Sequence, residues 1–151
     1  MKYDLVVLFE HPEWQQPLFE ELHRRKVRFK AFDLKKSSFD PSSVPEAYLY
    51  FNQASPSAYK RDNTRAVPLA LALMRSLEEA GAVVLNGSPA FALELSKAYQ
   101  LGLMQRLGIS HPKTIVFNDV EALLYCWKGP WPALLKPDQG HWHPIGCKLR
   151  A

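Results

Sequence analysis

Apolar and polar positions alternate along the first half of the chain in the manner of an α/β domain. Short apolar or alternating runs predict four strands, at residues 5–9, 27–31, 47–51 and 82–85. The residues between them predict one helix with Pro17 near its start and another over 66–80, ended by Gly81. Because parallel strands require crossover connections and helices usually supply them, this order predicts a parallel sheet with helices on both faces.

The pattern changes after residue 87. Ser88-Pro89 predicts a helix start with the serine hydroxyl as N-cap, and Ser96 predicts the cap of a second helix that runs to Leu107 and stops at Gly108. A strand at 114–117, a helix capped by Asn118 or Asp119, and a strand at about 132–136 complete the pattern. We therefore predict one domain over residues 1–87 and the start of a second, α+β domain from residue 88 onward.

Composition limits the class of protein. The 151 residues are 47% hydrophobic and 23% charged, which is typical of an ordinary globular protein. The longest strongly apolar stretch, residues 67–74, is far shorter than the roughly 20 residues that span a bilayer. Residues 1–8 fit a first strand better than a signal peptide, so we expect a cytoplasmic protein without a membrane partner. Cys126 and Cys147 are expected to be free thiols.

The formal net charge of +4 is concentrated at residues 23–30 and at Lys35-Lys36. Clustered cations can indicate a nucleic-acid surface, because they release counterions from phosphates. They are also typical of a solvated helix end that leads into an edge strand. The second interpretation is favoured, since no aromatic stacking pattern or nucleic-acid motif accompanies the charges, and we expect no nucleic-acid partner.

Two lysines lie where the pattern favours phosphate chemistry. Lys97 falls in the first turn of a capped helix, where backbone N–H groups attract anions. Lys136 ends an apolar run and is followed by Pro-Asp-Gln-Gly, a turn that could begin a phosphate-covering loop. Either lysine alone is more typical of a solvated element end. Together they could clamp a triphosphate, which requires positive charges from several elements.

Four short sequence landmarks, taken in their order along the chain, resemble those of the ATP-grasp superfamily. The resemblance extends over most of the chain and looks nearest to the ribosomal-protein glutamate ligase (RimK) type, with D-alanine–D-alanine ligase more distant. Each landmark alone is weak, but the order and spacing of the four are fairly specific. They are Asn86-Gly87, Ser96-Lys97, Leu107-Gly108 and Lys136-Pro137.

This resemblance implies a fold, a reaction and a site. Residues 1–87 would be the Rossmann-like domain that precedes ATP-grasp, and 88–140 the first, incomplete part of the ATP-grasp domain. Lys97 and Lys136 would contact the phosphates of ATP, and Gln139-Gly140 would open the glycine-rich loop. The partners would be ATP with Mg²⁺ and a carboxylate, peptide or protein substrate that is activated as an acyl-phosphate and joined to an amine. The substrate itself and the oligomeric state are left open.

The last 11 residues, 141–151, depart from the family pattern. Relatives continue through an adenine-binding segment, a substrate arginine and the Glu and Asn side chains that hold Mg²⁺, so we expect a truncated and inactive ligase fragment without metal ligands. Tryptophan has a single codon, and shifting the frame by one nucleotide across Trp142-His143 must yield glycine, as the family loop requires. We hypothesise an out-of-frame tail, which a stop codon soon after Gly140 in the shifted frame of the genomic DNA would disprove.

Other interpretations remain open. The chain could be a stand-alone Rossmann-like module that binds a small molecule or a partner, or a non-functional frameshifted product. His141, His143 and Cys147 could bind Zn²⁺, but three ligands in a tail are weak support and we predict no metal site. The loop at residues 55–57, with Arg61 and Arg65, could contact substrate, although a plain surface loop is favoured.

Overall fold

Four parallel strands form the sheet in the computed structural model, which describes residues 2–40, 42–44, 46–129 and 133–138. They are β1 (Tyr3–Phe9), β2 (Phe29–Asp33), β3 (Ala47–Asn52) and β4 (Val84–Leu85), in the order β2-β1-β3-β4. All three pairings are parallel, and β1 pairs through Leu5 with Phe29 on one side and Leu49 on the other. The prediction of an α/β protein with a parallel sheet is confirmed, and each strand lies within two residues of its predicted bounds.

Helices connect and follow these strands. They are α1 (Pro12–Arg24), a 3-10 helix (Ala58–Arg61), α2 (Ala66–Glu79), α3 (Ser88–Leu95), α4 (Lys97–Arg106) and α5 (Val120–Cys126). The first helix is expected from the sequence to follow the turn residues His11-Pro12 with Pro17 near its start; α1 begins at Pro12 itself and contains Pro17 in its interior. Proline suits the first helical position, where no intrahelical acceptor awaits its missing N–H.

The carboxyl end of β1 is the most deeply buried part of the sheet. Val6, Val7 and Leu8 are each at most 1% exposed, and Phe9 is 5% exposed. Phe9 packs edge-on against Phe19 of α1, with ring centroids 5.4 Å apart. Because β1 is held on both sides by neighbouring strands and covered by α1, the residues that follow it start from a rigid position.

Three predicted helix ends are confirmed. Gly81 closes α2 with a left-handed backbone (φ +80°), which glycine adopts without steric cost. The side chains of Ser96 and Asp119 accept the backbone N–H three residues later, at 3.1 and 2.8 Å, and so cap α4 and α5. Of the two caps considered for α5, the structure selects Asp119 over Asn118.

The start of α3 differs from the prediction. Ser88 is the first helical residue, and both its backbone N–H (2.8 Å) and its hydroxyl donate to the carboxylate of Glu78 at the end of α2. A carboxylate near a helix amino end is favourable because the first N–H groups lack acceptors there. Gly87 makes room for this contact, since a Cβ at that position would overlap the Glu78 carboxylate.

Two strands predicted in the second half are not found. Residues 114–117 and 133–136 form no strand in the described part of the chain, and residue 132 lies outside it. Apolar runs such as these become strands only when a neighbour completes their backbone hydrogen bonds, and no described segment pairs with them.

The chain divides into two compact units, unit 1 (residues 1–94) and unit 2 (residues 95–151). Unit 1 holds the sheet, and the described part of unit 2 holds α4 and α5. The division falls after Glu94, whereas the domain assignment made from sequence (1–87, 88–140 and 141–151) stays a prediction. Among the described residues, no helix combines the length and apolarity needed to cross a bilayer.

Candidate functional site

The topology of unit 1 creates a crevice at the carboxyl edge of the sheet. From β1 the chain moves to β2 on one side, and then crosses to β3 on the other. The loops that follow β1 and β3 therefore diverge, and open parallel sheets bind ligands at such a switch point. A pocket of about 420 Å³ lies there, lined by residues that follow β1, β3 and β4 and by α3. Its volume falls within the roughly 300–1,000 Å³ of small-molecule sites.

Two asparagines fix the strand ends beneath the pocket. Asn52, at the end of β3, donates through its amide to the carbonyl of Asn86 (3.2 Å), and the Asn86 amide donates to the Asn52 carbonyl (3.3 Å). The Asn52 side-chain oxygen also accepts the N–H of Ala54 (3.0 Å). Asn52 is 3% exposed, so these bonds satisfy a buried amide and hold the loops after β3 and β4 together.

Gln15 is the buried polar side chain that faces the pocket without an internal partner. It is 5% exposed and lines the pocket, and its amide forms no hydrogen bond to any residue that the structure describes. The next residue, Gln16, is exposed and donates to Glu20 (3.0 Å). The side chain as a whole is buried, but its amide atoms open onto the pocket, where a ligand can complete their hydrogen bonding.

A buried carboxylate organises the loop beside the pocket. Glu10, the first residue after β1, is 1% exposed and forms an ion pair with Arg61 of the 3-10 helix. The Asn63 amide donates to the same carboxylate (2.8 Å), and Arg61 also donates to the hydroxyl of Ser57 (3.2 Å). The Glu10 carboxylate thus holds residues 57–63 against the end of β1, and these contacts order the wall of the crevice.

Trp14 extends this arrangement to the mouth of the pocket. The Arg61 guanidinium carbon lies 4.5 Å from the Trp14 ring centroid, and His11 stacks on Trp14 with centroids 4.4 Å apart. Trp14 remains 57% exposed while lining the pocket. These aromatic and cationic contacts fix the orientation of the indole at the entrance.

The loop at residues 55–57 is partly buried and borders the pocket, whereas its sequence favoured a plain surface loop. Ser57 is 6% exposed and bonds to Ser55 (2.8 Å), and Ser55 lines the pocket. Arg61 is engaged by Glu10, whereas Arg65 is exposed at the start of α2. Sequence reasoning missed Glu10, although a charged residue directly after an apolar strand marks the carboxyl edge of a parallel sheet.

In unit 2, the structure brings Lys97 to the segment that follows Lys136. The Lys97 ammonium donates to the backbone carbonyl of Asp138 (3.0 Å), and the Asp138 carboxylate accepts from the Ala98 N–H (2.7 Å) and the Ser96 hydroxyl (3.0 Å). An anion therefore already occupies the amino end of α4. These donors suit an anionic oxygen such as that of a phosphate group, so the residues present fit the phosphates of ATP.

The other predicted phosphate residues are only partly described. Lys136 is exposed, two residues before Asp138. Gln139 and Gly140 lie outside the described residues, as do His141, His143 and Cys147. Within the described ranges, no three His, Cys, Asp or Glu side chains group in a way that could hold a metal ion.

The basic cluster of residues 23–30 is largely engaged within the chain. Arg24 and Arg25 both donate to Glu21 at 2.6 Å, and these hydrogen bonds lower the pKa of Glu21 to about 2. Arg28 pairs with Asp4 (2.9 Å) and holds the pKa of that carboxyl below its usual value. Three arginines of the cluster thus have carboxylate partners within the chain.

The fold of this chain is shared with ATP-grasp ligases. Three structures of the ATP-grasp ligase PsnB are similar to it. One, with a minimal precursor, has a TM-score of 0.55 at 24% identity and matches 82% of this chain and 49% of the ligase. Another, with Mg and ADP as well, has a TM-score of 0.54 at 24% identity over 81% of this chain and 48% of the ligase. The third, with a precursor peptide and AMPPNP, has a TM-score of 0.51 at 22% identity over 80% and 49%.

The chain therefore spans about half the length of these ligases. At this level of identity the likeness concerns the fold. Neither a protein-family model nor a curated protein sequence matches the chain.

Proposed function

We propose that this chain is part of an ATP-dependent carboxylate–amine ligase of the ATP-grasp superfamily, and that unit 2 contributes residues that bind the phosphates of ATP. The observation that carries the proposal is the meeting of Lys97 and the amino end of α4 with Asp138, two residues after Lys136. The shared fold and the order of the four sequence landmarks support it.

The reaction of such a ligase has two steps. A substrate carboxylate attacks the γ-phosphorus of ATP to form an acyl-phosphate and ADP, and an amine then attacks the acyl carbon to form an amide and release phosphate. Cationic side chains lower the barrier by stabilising the charge on the transferred phosphoryl group, which is the part we assign to Lys97 and Lys136. Bound Mg²⁺ would supply further positive charge on the phosphate oxygens.

We assign the binding of nucleotide phosphates to the described residues of this chain, which spans about half the length of the matched ligases. The RimK-like subtype, a cytoplasmic location, and a small carboxylate, peptide or protein as substrate belong to the same proposal. The PsnB structures contain a peptide precursor, which favours a peptide substrate among these choices.

The proposal is tested by titrating the 151-residue chain with Mg-ATP and following backbone amide signals by NMR. We expect weak, saturable shifts at Lys97 and Ala98. Lys97→Met and Lys136→Met should each weaken binding by about tenfold, since each removes a charge-assisted hydrogen bond to phosphate. Asp138→Ala should strengthen binding, because the Asp138 carboxylate occupies the same N–H groups and repels the incoming phosphate.

Lys113→Met is the matched control, since Lys113 is an exposed lysine of the same unit. It should leave ATP affinity unchanged. If ATP at millimolar concentration shifts no signal around Lys97, or if Asp138→Ala weakens binding, the assignment of these residues to phosphate is wrong.

The pocket of unit 1 favours a second candidate function, a module that binds a small molecule independently of ATP. The two candidates differ in where a ligand acts. An ATP-grasp fragment responds to nucleotide at α4, whereas a binding module responds to its ligand around Gln15 and is insensitive to Lys97→Met.

A further inference from the structure

The unit 1 pocket has a distinctive set of lining groups. Four residues with amide side chains line it, together with the aromatic residues Trp14 and Phe91. The four are Gln15, Asn52, Gln53 and Asn86. Glu94 is its sole charged lining residue among the described residues, and no cation lines it. A phosphate or carboxylate ligand would therefore find no counter-charge there. The ligand chemistry that suits this pocket thus differs from the phosphate chemistry proposed for unit 2.

The Gln15 amide determines which ligand chemistry fits. It offers both a donor and an acceptor and bonds to no described residue, while the side chain that carries it is 5% exposed and lines the pocket. A neutral amide group of a ligand presents the complementary acceptor and donor side by side. Such a pairing satisfies Gln15 without bringing an uncompensated charge into the crevice.

We propose that this pocket binds an uncharged peptide amide, with Gln15 as the residue that recognises it through paired hydrogen bonds. The site lies at the switch point between β1 and β3, so the rigid end of β1 and the Asn52–Asn86 bonds hold it in shape before the ligand arrives. This inference rests on unit 1 alone and does not depend on ATP binding in unit 2.

The test follows the backbone amide signals of the pocket residues by NMR, together with the side-chain NH₂ signals of Gln15 in the unsubstituted chain, while N-acetylglycinamide is added to the full chain. We expect a saturable shift, and a several-fold weaker response to N-acetylglycine, which differs by a terminal carboxylate. Gln15→Met should weaken binding by about tenfold, because it removes both hydrogen-bonding atoms but keeps the length of the side chain.

Gln16→Met provides the matched control, since Gln16 is the adjacent but exposed glutamine. It should leave the affinity unchanged. A second measurement protects the test against a folding artefact. Gln15→Met should leave the melting temperature of the free chain unchanged or slightly higher, because the amide makes no hydrogen bond within the described residues and its atoms open onto the pocket.

Four results would overturn the proposal, three with the peptide probes and one with a nucleoside. The first is binding of N-acetylglycine with the same affinity as N-acetylglycinamide, which would show that the pocket does not discriminate against a negative charge. The second is an unchanged affinity in Gln15→Met, and the third is a lower melting temperature in that variant. Tighter binding of uridine, whose base has a similar amide edge, would reassign the site to a nucleoside and reject the peptide.

Discussion

The buried pair of Glu10 and Arg61 is the contact on which the wall of the unit 1 pocket depends most. We predict that Arg61→Met destabilises the protein strongly, because it leaves the Glu10 carboxylate 1% exposed and without its cation. Methionine retains most of the volume of the arginine stem, so the change tests the charge and hydrogen bonds rather than packing.

The size of the effect follows from burial. Removing one partner of a buried ion pair costs about 3–5 kcal/mol of unfolding free energy. We expect the lower end, because the Arg61 side chain is 18% exposed and Asn63 still donates to the carboxylate at 2.8 Å. A loss of about 3 kcal/mol corresponds to a melting temperature roughly 10 °C lower for a chain of this size.

The assay is equilibrium unfolding in urea, with Arg65→Met as the control because Arg65 is an exposed arginine nearby. Arg65→Met should change stability by less than about 0.5 kcal/mol. Combining Glu10→Gln with Arg61→Met should recover much of the loss, since the double variant buries no unpaired charge. If Arg61→Met costs less than about 1 kcal/mol, or if the two changes are simply additive, the pair does not organise this loop in the way we infer.

Three further predictions concern helix ends and charge. Gly87→Ala should lower the free energy of unfolding by about 1–2 kcal/mol, because its Cβ displaces the Glu78 carboxylate from the start of α3. Gly102→Ala is the control: its Cβ meets open space, so it should stabilise the chain when both variants are compared by thermal unfolding. Asp119→Ala should cost about 1 kcal/mol and speed amide exchange in the first turn of α5; unchanged exchange there would argue against the cap. Glu21 should titrate near its lowered pKa of about 2 when its side chain is followed by NMR over a pH series. The stabilisation that its ionised form provides is complete above the ordinary pKa of 4.5 and is lost as the pH falls towards 2. A titration midpoint near 4.5 would show that its pairs with arginine do not persist.

Helix ends show how far local sequence determines this structure. Ser96, Asp119 and Gly81 act where their residue types predict, because a cap involves a side chain and a backbone group a few residues apart. The start of α3 could not be predicted in this way. Its carboxylate comes from Glu78, ten residues earlier, and only the folding of α2 against the following loop brings it to Ser88.

The same distinction, between contacts local in sequence and contacts made by the fold, applies to the strands and the candidate sites. The apolar runs at residues 5–9 and 47–51 were sufficient to predict strands, because length and periodicity are properties of a short segment, and the alternation of strands with helices predicted that the sheet is parallel. The absent strand at 114–117 shows the limit, since a strand also needs a partner. Lys97 was identified from its place in a helix start, but its contact with Asp138, 41 residues later, belongs to the tertiary structure.

What the sequence by itself determined, then, are the four strands of the sheet and the helix ends at Gly81, Ser96 and Asp119, all of which depend on neighbouring residues. The tertiary structure alone decided that Glu10 faces Arg61 and that Gln15 is buried beside a pocket. Each of these depends on the strand order β2-β1-β3-β4, which brings distant loops to one edge of the sheet. The physical reason is that burial, which makes an unpaired amide or a lone carboxylate costly, arises only when the whole sheet has assembled.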